Sequence, residues 1–237
     1  MNSKNGNISN IACNIILFAN GERGYLVCSE LLKNRFSVTQ IITSTKSLHY
    51  FTDLFPDIEV LCFENVNDQS TIFAIKAFAP DLFIVAGFSQ IFTRALLDIP
   101  SYHTINLHAG PLPQYRGGSP LNWQLINGEK HIAVSALLMD EGIDTGNILA
   151  EASFPLEEQM TILDLHYKAN QIFPILCIDA IKKLLSCDSG QVQTSHNATY
   201  WHQRSDDDGL IDFRSTDAYK ANRIVRALSY PYPGAWT

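Results

Sequence analysis

Charge is scarce in this sequence and tilted to the wrong sign for a polyanion: 17% of its 237 residues are charged, with 17 Lys and Arg against 24 Asp and Glu, a net charge of -7. Nucleic-acid backbones are held by clustered Lys and Arg, so no nucleic-acid partner is expected, whereas a nucleotide-sized anion needs only a local patch. Cysteines at metal or redox spacing are missing. The five present (Cys13, Cys28, Cys62, Cys177, Cys187) are an odd number with no CxxC pair, which fits reduced thiols in a cytoplasm better than a disulfide framework or a zinc site. None of the seven His residues stands in HExxH or His-Cys spacing, so no metal site is expected. Long hydrophobic runs are absent too. Ile11 to Ala19 is interrupted by Asn14, has no A-x-A cleavage site and is too short to span a bilayer, so it reads as a first buried strand and no membrane association is expected. A GxGxxG fingerprint is lacking, as are internal repeats and low-complexity segments.

What is present is a 46% hydrophobic chain, enough for a substantial core. Its first half alternates. Asn14 to Ala19, Ser37 to Thr43, Asp57 to Phe63 and Leu82 to Ala86 read as strands, with helices over Gly24 to Lys33 and Ser70 to Phe78. Such βαβ alternation predicts an α/β fold with a doubly wound, mostly parallel Rossmann-like sheet, which binds ligands at the carboxyl ends of its strands. The loop NGERG (Asn20 to Gly24) lies at such an end, where Arg23 before a helix can hold a phosphate or simply be solvated. A strand-like run follows over Ile148 to Ala152, then a helical pattern from Thr161 to Leu185 that Pro174 should kink or end, with Thr161 and Asp164 as a capping signal. The expected organisation is a loose tail over 1–10, a catalytic domain over 11–186 and a short extension over 187–237 that completes the substrate site. That extension carries Tyr200, Trp201, Arg204 and PYPGAWT, an aromatic and basic cluster suited to a base and a diphosphate, or equally to docking on the sheet.

The densest chemistry lies between Thr104 and Leu149. Asn106 and His108 stand two residues apart at a strand end, so both project from one face. Asp144 sits in the loop EGIDTG after the apolar run Ile132 to Met139, where a chain reversal can return its carboxylate to the imidazole. Singly, each has a plain reading: Asn or Asp before Gly forms turns, and a lone His is most often a satisfied structural residue. Jointly, NxH, a two-proline loop, YRGG, PLNW, NGE and DTG form a string that turn chemistry alone does not dictate.

The segment resembles the catalytic core of the folate-dependent formyltransferases, whose pattern of Asn-x-His, Leu-Pro-x-(Tyr or Trp)-Arg-Gly and Asp-x-Gly is met here by Asn106, His108, Leu112, Pro113, Tyr115, Arg116, Gly117, Asp144 and Gly146. The similarity, weaker outside this stretch, runs from about Asn14 to Thr237. PLNW with NGE (Pro120 to Trp123, Asn127 to Glu129) is most similar to the nucleotide-sugar N-formyltransferases, while Pro111 stands where relatives that formylate initiator tRNA commonly carry Leu. The resemblance implies that a formyl group passes from 10-formyltetrahydrofolate to the amine of a nucleotide-linked sugar, of the dTDP-4-amino-4,6-dideoxyhexose kind used in surface polysaccharide. Asn106 would donate to the oxyanion, His108 accept the amine proton or bond the oxyanion, and Asp144 orient the imidazole and relay the proton.

By the same resemblance, the folate lies against main chain at Phe88, Ser89, Gln90 and Ile91, at Gly110, Pro111, Leu112 and Pro113, and at Asp140 and Gly142. Asn20, Arg23, Tyr115, Tyr200, Trp201 and Arg204 are the residues expected at the acceptor. Assembly as a homodimer is left open. Three alternatives stand beside this reading. The initiator tRNA enzyme adds a basic domain for which the sequence gives neither room nor charge; the glycinamide ribonucleotide enzyme matches PLNW and the aromatic tail less well; a folate- or nucleotide-binding regulator without turnover would not need all three catalytic residues.

Overall fold

The run NIILFA forms β1 (Asn14–Ala19), whose residues from Ile15 onward are buried, as a strand covered on both faces must be. The computed structural model describes residues 13–237, so the expected tail over 1–10 lies outside the described residues. After β1 come α1 (Gly21–Lys33), β2 (Ser37–Thr43), α2 (Leu48–Leu54), β3 (Glu59–Cys62), α3 (Gln69–Ala77), β4 (Leu82–Ala86) and α4 (Arg94–Leu97). The second half holds β5 (His103–His108), β6 (Arg116–Gly117), α5 (Pro120–Asn127), β7 (His131–Leu138), β8 (Ile148–Pro155), α6 (Ile162–Leu185), β9 (Tyr200–Trp201) and α7 (Ala218–Leu228).

Seven strands form one sheet in the order β3-β2-β1-β4-β5-β7-β8. The first four pairings are parallel; β7 turns antiparallel to β5 and to β8. The expected mostly parallel α/β sheet is thus what the chain forms. Alternate residues feed two cores. Ile15, Leu17 and Ile84 pack with Val27 and Leu31 of α1 and Phe173 and Ile178 of α6, while Ile16, Phe18 and Phe83 pack with Ile75 of α3 and Leu96 of α4. On this second face the cover over β5 and β7 is different: a small cluster of Leu112, Leu137 and Ile148, with no helical residue in it. Loops therefore close the sheet there, and loops can carry polar groups that a packed helix would exclude.

Two expectations change. The loop NGERG is reduced to Asn20, because Gly21 to Gly24 are already the first turn of α1. Pro174 neither ends nor splits α6, which runs unbroken over 24 residues from the expected Thr161–Asp164 capping box. Buried Leu165, Phe173, Ile178 and Ile181 anchor both halves, and such packing outweighs the roughly 3 kcal/mol local cost of an interior proline.

Candidate active site

Register places the site. Asn106 lies opposite Val85 of β4 and Leu137 of β7, so its side chain, like that of His108, emerges on the loop-covered face. The carboxylate of Asp144 reaches both. Asn106 Nδ2 donates to Asp144 Oδ1 at 3.3 Å, and His108 Nδ1 lies 3.4 Å from Oδ2, which also accepts the Gly117 N–H at 2.9 Å. His108 Nε2 is 2.7 Å from the Tyr115 carbonyl oxygen. The side chains of His108 and Asp144 are only 6% and 14% exposed, so their interaction acts in a medium drier than bulk water. The three residues that spacing singles out form one connected cluster.

Tyr115 is held in the left-handed region (φ 57°), which turns its carbonyl toward His108. Segments of the extension fix it there. Tyr115 N–H donates to Thr199 Oγ1 at 3.1 Å, Thr199 N–H donates to the Pro113 carbonyl at 3.3 Å, and β6 pairs in parallel with β9. The glycines of YRGG are required by this crossing: a Cβ on Gly117 would stand 2.3 Å from the Trp201 carbonyl oxygen, and one on Gly118 would stand 2.4 Å from Gln203 backbone. PLNW serves the same docking. Pro120 opens α5, Asn122 Nδ2 donates to the Ala227 carbonyl at 2.8 Å, and Trp123 Nε1 donates to the His202 carbonyl at 3.0 Å.

The three main-chain segments expected at the folate lie on the same face. Phe88 packs against the second core beside Met139, Ser89 is exposed, and Ile91 is exposed with its carbonyl accepting from Asn67 at 2.8 Å. The Gln90 side chain ties neighbouring loops together, its Oε1 accepting the Val66 N–H at 2.9 Å and its Nε2 donating to the Glu64 carbonyl at 3.3 Å. Gly110 is buried, with its carbonyl accepting from Ser135; Pro111 and Pro113 are half-buried, and Leu112 is in the third cluster. Asp140 Oδ1 accepts from the exposed Gly142 N–H at 3.0 Å and from Thr145 Oγ1 at 2.5 Å, which ties the loop carrying Asp144.

The residues expected at the acceptor fare differently. Asn20 is used by the fold, its Oδ1 accepting from Thr43, Ser44 N–H and Ser44 Oγ and its Nδ2 donating to Gly87. Tyr115 is buried, its hydroxyl donating to Glu129 and its ring stacked on Trp201; burial first and then Glu129 push its phenol up. Trp201 is stacked on both Tyr115 and Trp123 at centroid distances of 5.7 and 4.9 Å. These three shape the scaffold more than they offer free faces. Tyr200 is 58% exposed and accepts from Arg116 Nη1 at 2.8 Å. Arg23 sits in the first turn of α1, with its guanidinium 4.4 Å from the Phe173 ring and its Nε donating to Asn170 at 3.3 Å; burial lowers its pKa to about 10. Arg204 lies 4.7 Å from the Tyr232 ring with its side chain 5% exposed and its Nε buried without a partner. Both guanidinium groups face Tyr232, whose phenol burial pushes up while the two cations draw it back, and Arg204 Nη2 also lies 3.8 Å from Asp206.

Gln193, Thr199 and Ser119 were not expected at the site, and no local pattern marks them; Asn122 stood in PLNW, but with no role of its own assigned. Their partners are 47 to 105 residues away in sequence, beyond the reach of any periodicity. Among the described residues, no group of His, Cys, Asp and Glu is placed to hold a metal ion, and no helix is long and apolar enough to cross a membrane.

A methionyl-tRNA formyltransferase of Citrifermentans bemidjiense is 38% identical over 76% of this chain and 56% of its own, and the bifunctional polymyxin resistance protein ArnA of Wigglesworthia glossinidia brevipalpis is 32% identical over 94% of this chain and 36% of its own. The chain thus spans about half the length, or less, of these curated relatives. Among solved structures, a sugar N-formyltransferase from a Shewanella species superposes with a TM-score of 0.76 at 20% identity, covering 94% of this chain and 90% of that one. WlaRD, a sugar 3N-formyl transferase in the presence of dTDP and 5-N-formyl-THF, does so with a TM-score of 0.71 at 19% identity, covering 92% and 80%. At these identities the likeness to the solved structures is one of fold. The family model for formyl transferases matches residues 27–181, which include Asn106, His108 and Asp144, and the chain belongs to that family.

Proposed function

We propose that the protein transfers a formyl group from 10-formyltetrahydrofolate to the amine of a nucleotide-linked amino sugar. The observation that carries the chemistry is the single carboxylate of Asp144 joining Asn106 and His108. Asn106 has two amide N–H groups; Asp144 takes one, and the other is available to an oxygen that becomes negative as an amine adds to a carbonyl. Nε2 of His108 faces a carbonyl, which only accepts, so that nitrogen carries hydrogen; the proton released by the amine then belongs between Nδ1 and Asp144. The folate, when bound, supplies the activated formyl carbon. Main-chain groups of Phe88 to Ile91, Gly110 to Pro113 and Asp140 to Gly142 would hold its flat heterocycle, with the Ile91 carbonyl and the Gly142 N–H already engaged by Asn67 and Asp140.

The acceptor is read from charge and from the extension. A net charge of -7 disfavours a polyanion, and Arg23 and Arg204 about Tyr232 suit a diphosphate. The sugar enzymes among the structural neighbours support a sugar, and the presence of dTDP with one of them supports that nucleotide. In this reading, residues 187–237 complete the site rather than form a unit of their own. A second reading, an initiator-tRNA acceptor, is favoured by the 38% identity to a methionyl-tRNA formyltransferase.

One assay separates them: the purified protein with 10-formyltetrahydrofolate is offered dTDP- and UDP-linked amino sugars or initiator methionyl-tRNA, and formylated product is read by mass. Formylated sugar with unmodified tRNA is expected. Formylated tRNA alone overturns the acceptor, and no product from any amine overturns formyl transfer itself. Thermal shifts with dTDP, UDP, GDP and folate rank the ligands, since one at 100 times its Kd stabilises by about 2.7 kcal/mol.

A further inference from the structure

Asp144 stands in a backbone conformation that side chains disfavour (φ 52°), in a loop with glycines on both sides. Something must hold it there. Gln193, from the extension, places its amide across the loop: Nε2 donates to the Asp144 carbonyl at 2.9 Å and to the Gly146 carbonyl at 2.6 Å. Its Oε1 accepts from Arg116 Nε at 3.1 Å and Arg116 Nη2 at 2.6 Å. The two sets of partners settle the orientation of the amide, because a guanidinium only donates and a carbonyl only accepts; a flipped amide would lose all four contacts. Arg116 is itself buried, and its remaining Nη1 donates to the Tyr200 hydroxyl. Among the described residues it has no ion-pair partner, so neutral oxygens satisfy a buried cation whose contacts serve to orient Gln193.

We infer that Gln193 is a positioning residue for the proposed reaction: it clamps the Asp144 backbone so that the carboxylate meets Asn106, His108 and Gly117, and Arg116 locks the clamp. The inference rests on the formyl-transfer reading for its kinetic test and on geometry alone for a second test.

In the chain of 237 residues, Gln193→Met keeps the reach of the side chain and removes its hydrogen bonds. Because displacing a catalytic group by an ångström can cost about 100-fold, kcat should fall by roughly 10- to 100-fold with KM for donor and acceptor within about twofold. Placed on Asp144→Asn, the same change should cost less than about twofold, since the group it positions is already disabled. A loss that multiplies with that of Asp144→Asn, or an unchanged kcat, overturns the inference. Hydrogen exchange supplies the second test: amides of residues 141–147 should exchange faster in Gln193→Met while the sheet is unchanged. If the wild-type protein formylates no acceptor, the functional reading fails and exchange alone judges the clamp; unchanged exchange overturns it. Should Gln193→Met not fold, Gln193→Glu, which keeps an acceptor for Arg116 but has no N–H for the carbonyls, is measured in the same way. Loss of fold in both variants also overturns the inference, by making the contact a purely structural one.

Discussion

His108 is the residue with the least freedom. With a carbonyl against one ring nitrogen and a carboxylate against the other, only the imidazolium donates to both, and the neutral ring leaves one contact unmade. Substitution here removes chemistry and leaves the buried Tyr115 carbonyl without its partner. His108→Ala and Asn106→Ala should each lower formyl transfer by about 100- to 1,000-fold, the cost of one oxyanion donor, and Asp144→Asn should be comparably severe. Purified variants with melting temperatures matching the wild type give the measurement, and wild-type turnover by His108→Ala would remove it from the site. A different histidine bears on acid stability. His166 bonds the Tyr232 hydroxyl at 3.1 Å, and burial first, then Arg23, lower its pKa from 6.5 to about 4. Between those values the unfolded chain holds a proton that the folded chain does not, so folding loses stability as pH falls through this window, by on the order of 3 kcal/mol at its acid end. His166→Gln should flatten that slope; urea unfolding of both proteins at about pH 7 and about pH 4.5 tests it, and equal slopes would show that His166 contributes nothing to acid sensitivity.

At the scale of elements, α1 shows how a glycine read from sequence at the boundary of loop and helix becomes a packing residue. Gly24 lies within the helix, where a Cβ would stand 2.5 Å from Ala19 Cβ and 2.8 Å from Phe51 Cζ. The close approach of α1 to β1 and α2 depends on its missing side chain. Gly24→Ala gains helix propensity of under about 1 kcal/mol but forces these elements apart, and overpacking of this kind costs about 1–3 kcal/mol. A net loss of stability is therefore expected by urea denaturation; a gain would mean that the elements separate freely. The long helix α6 makes the opposite point about local rules. The capping signal at Thr161 was legible because it is local: Thr161 N–H donates to Asp164 Oδ2 at 2.8 Å. The effect of Pro174 was not, because the packing that carries the helix through the proline comes from strands and helices distant in sequence.

For the molecule as a whole, the extension is packed into the main core and bonded to the loops that carry the cluster. Ile211, Ala221, Ile224, Ala227 and Leu228 are buried in the main core, and Thr199 and Gln193 hold the loops that carry Tyr115 and Asp144. A chain cut after Ser186 should accordingly lose cooperative unfolding as well as activity, since it exposes apolar surface that α5 and α6 bury against α7. Calorimetry of the shortened chain checks this; a cooperative transition near the wild-type temperature would make the extension an appendage.

What the sequence determined by itself was everything with a short period. Buried runs of five apolar residues set β1 and β4, the two-residue repeat of a strand put Asn106 and His108 on one face, and the run of motifs from NxH to DTG brought Asp144 into consideration. What only the tertiary structure decided has no period at all. The Gln193 clamp, the lock that Arg116 puts on it, the withdrawal of Tyr115 and Trp201 into a mutual stack, and the placing of Arg23 in a helix rather than a phosphate loop depend on contacts spanning 49, 77, 86 and 147 residues. Local preferences fix which way a side chain leaves its own strand or helix; which group it meets there is set by the packing of distant segments, whose hydrogen bonds leave no trace in the order of neighbouring residues.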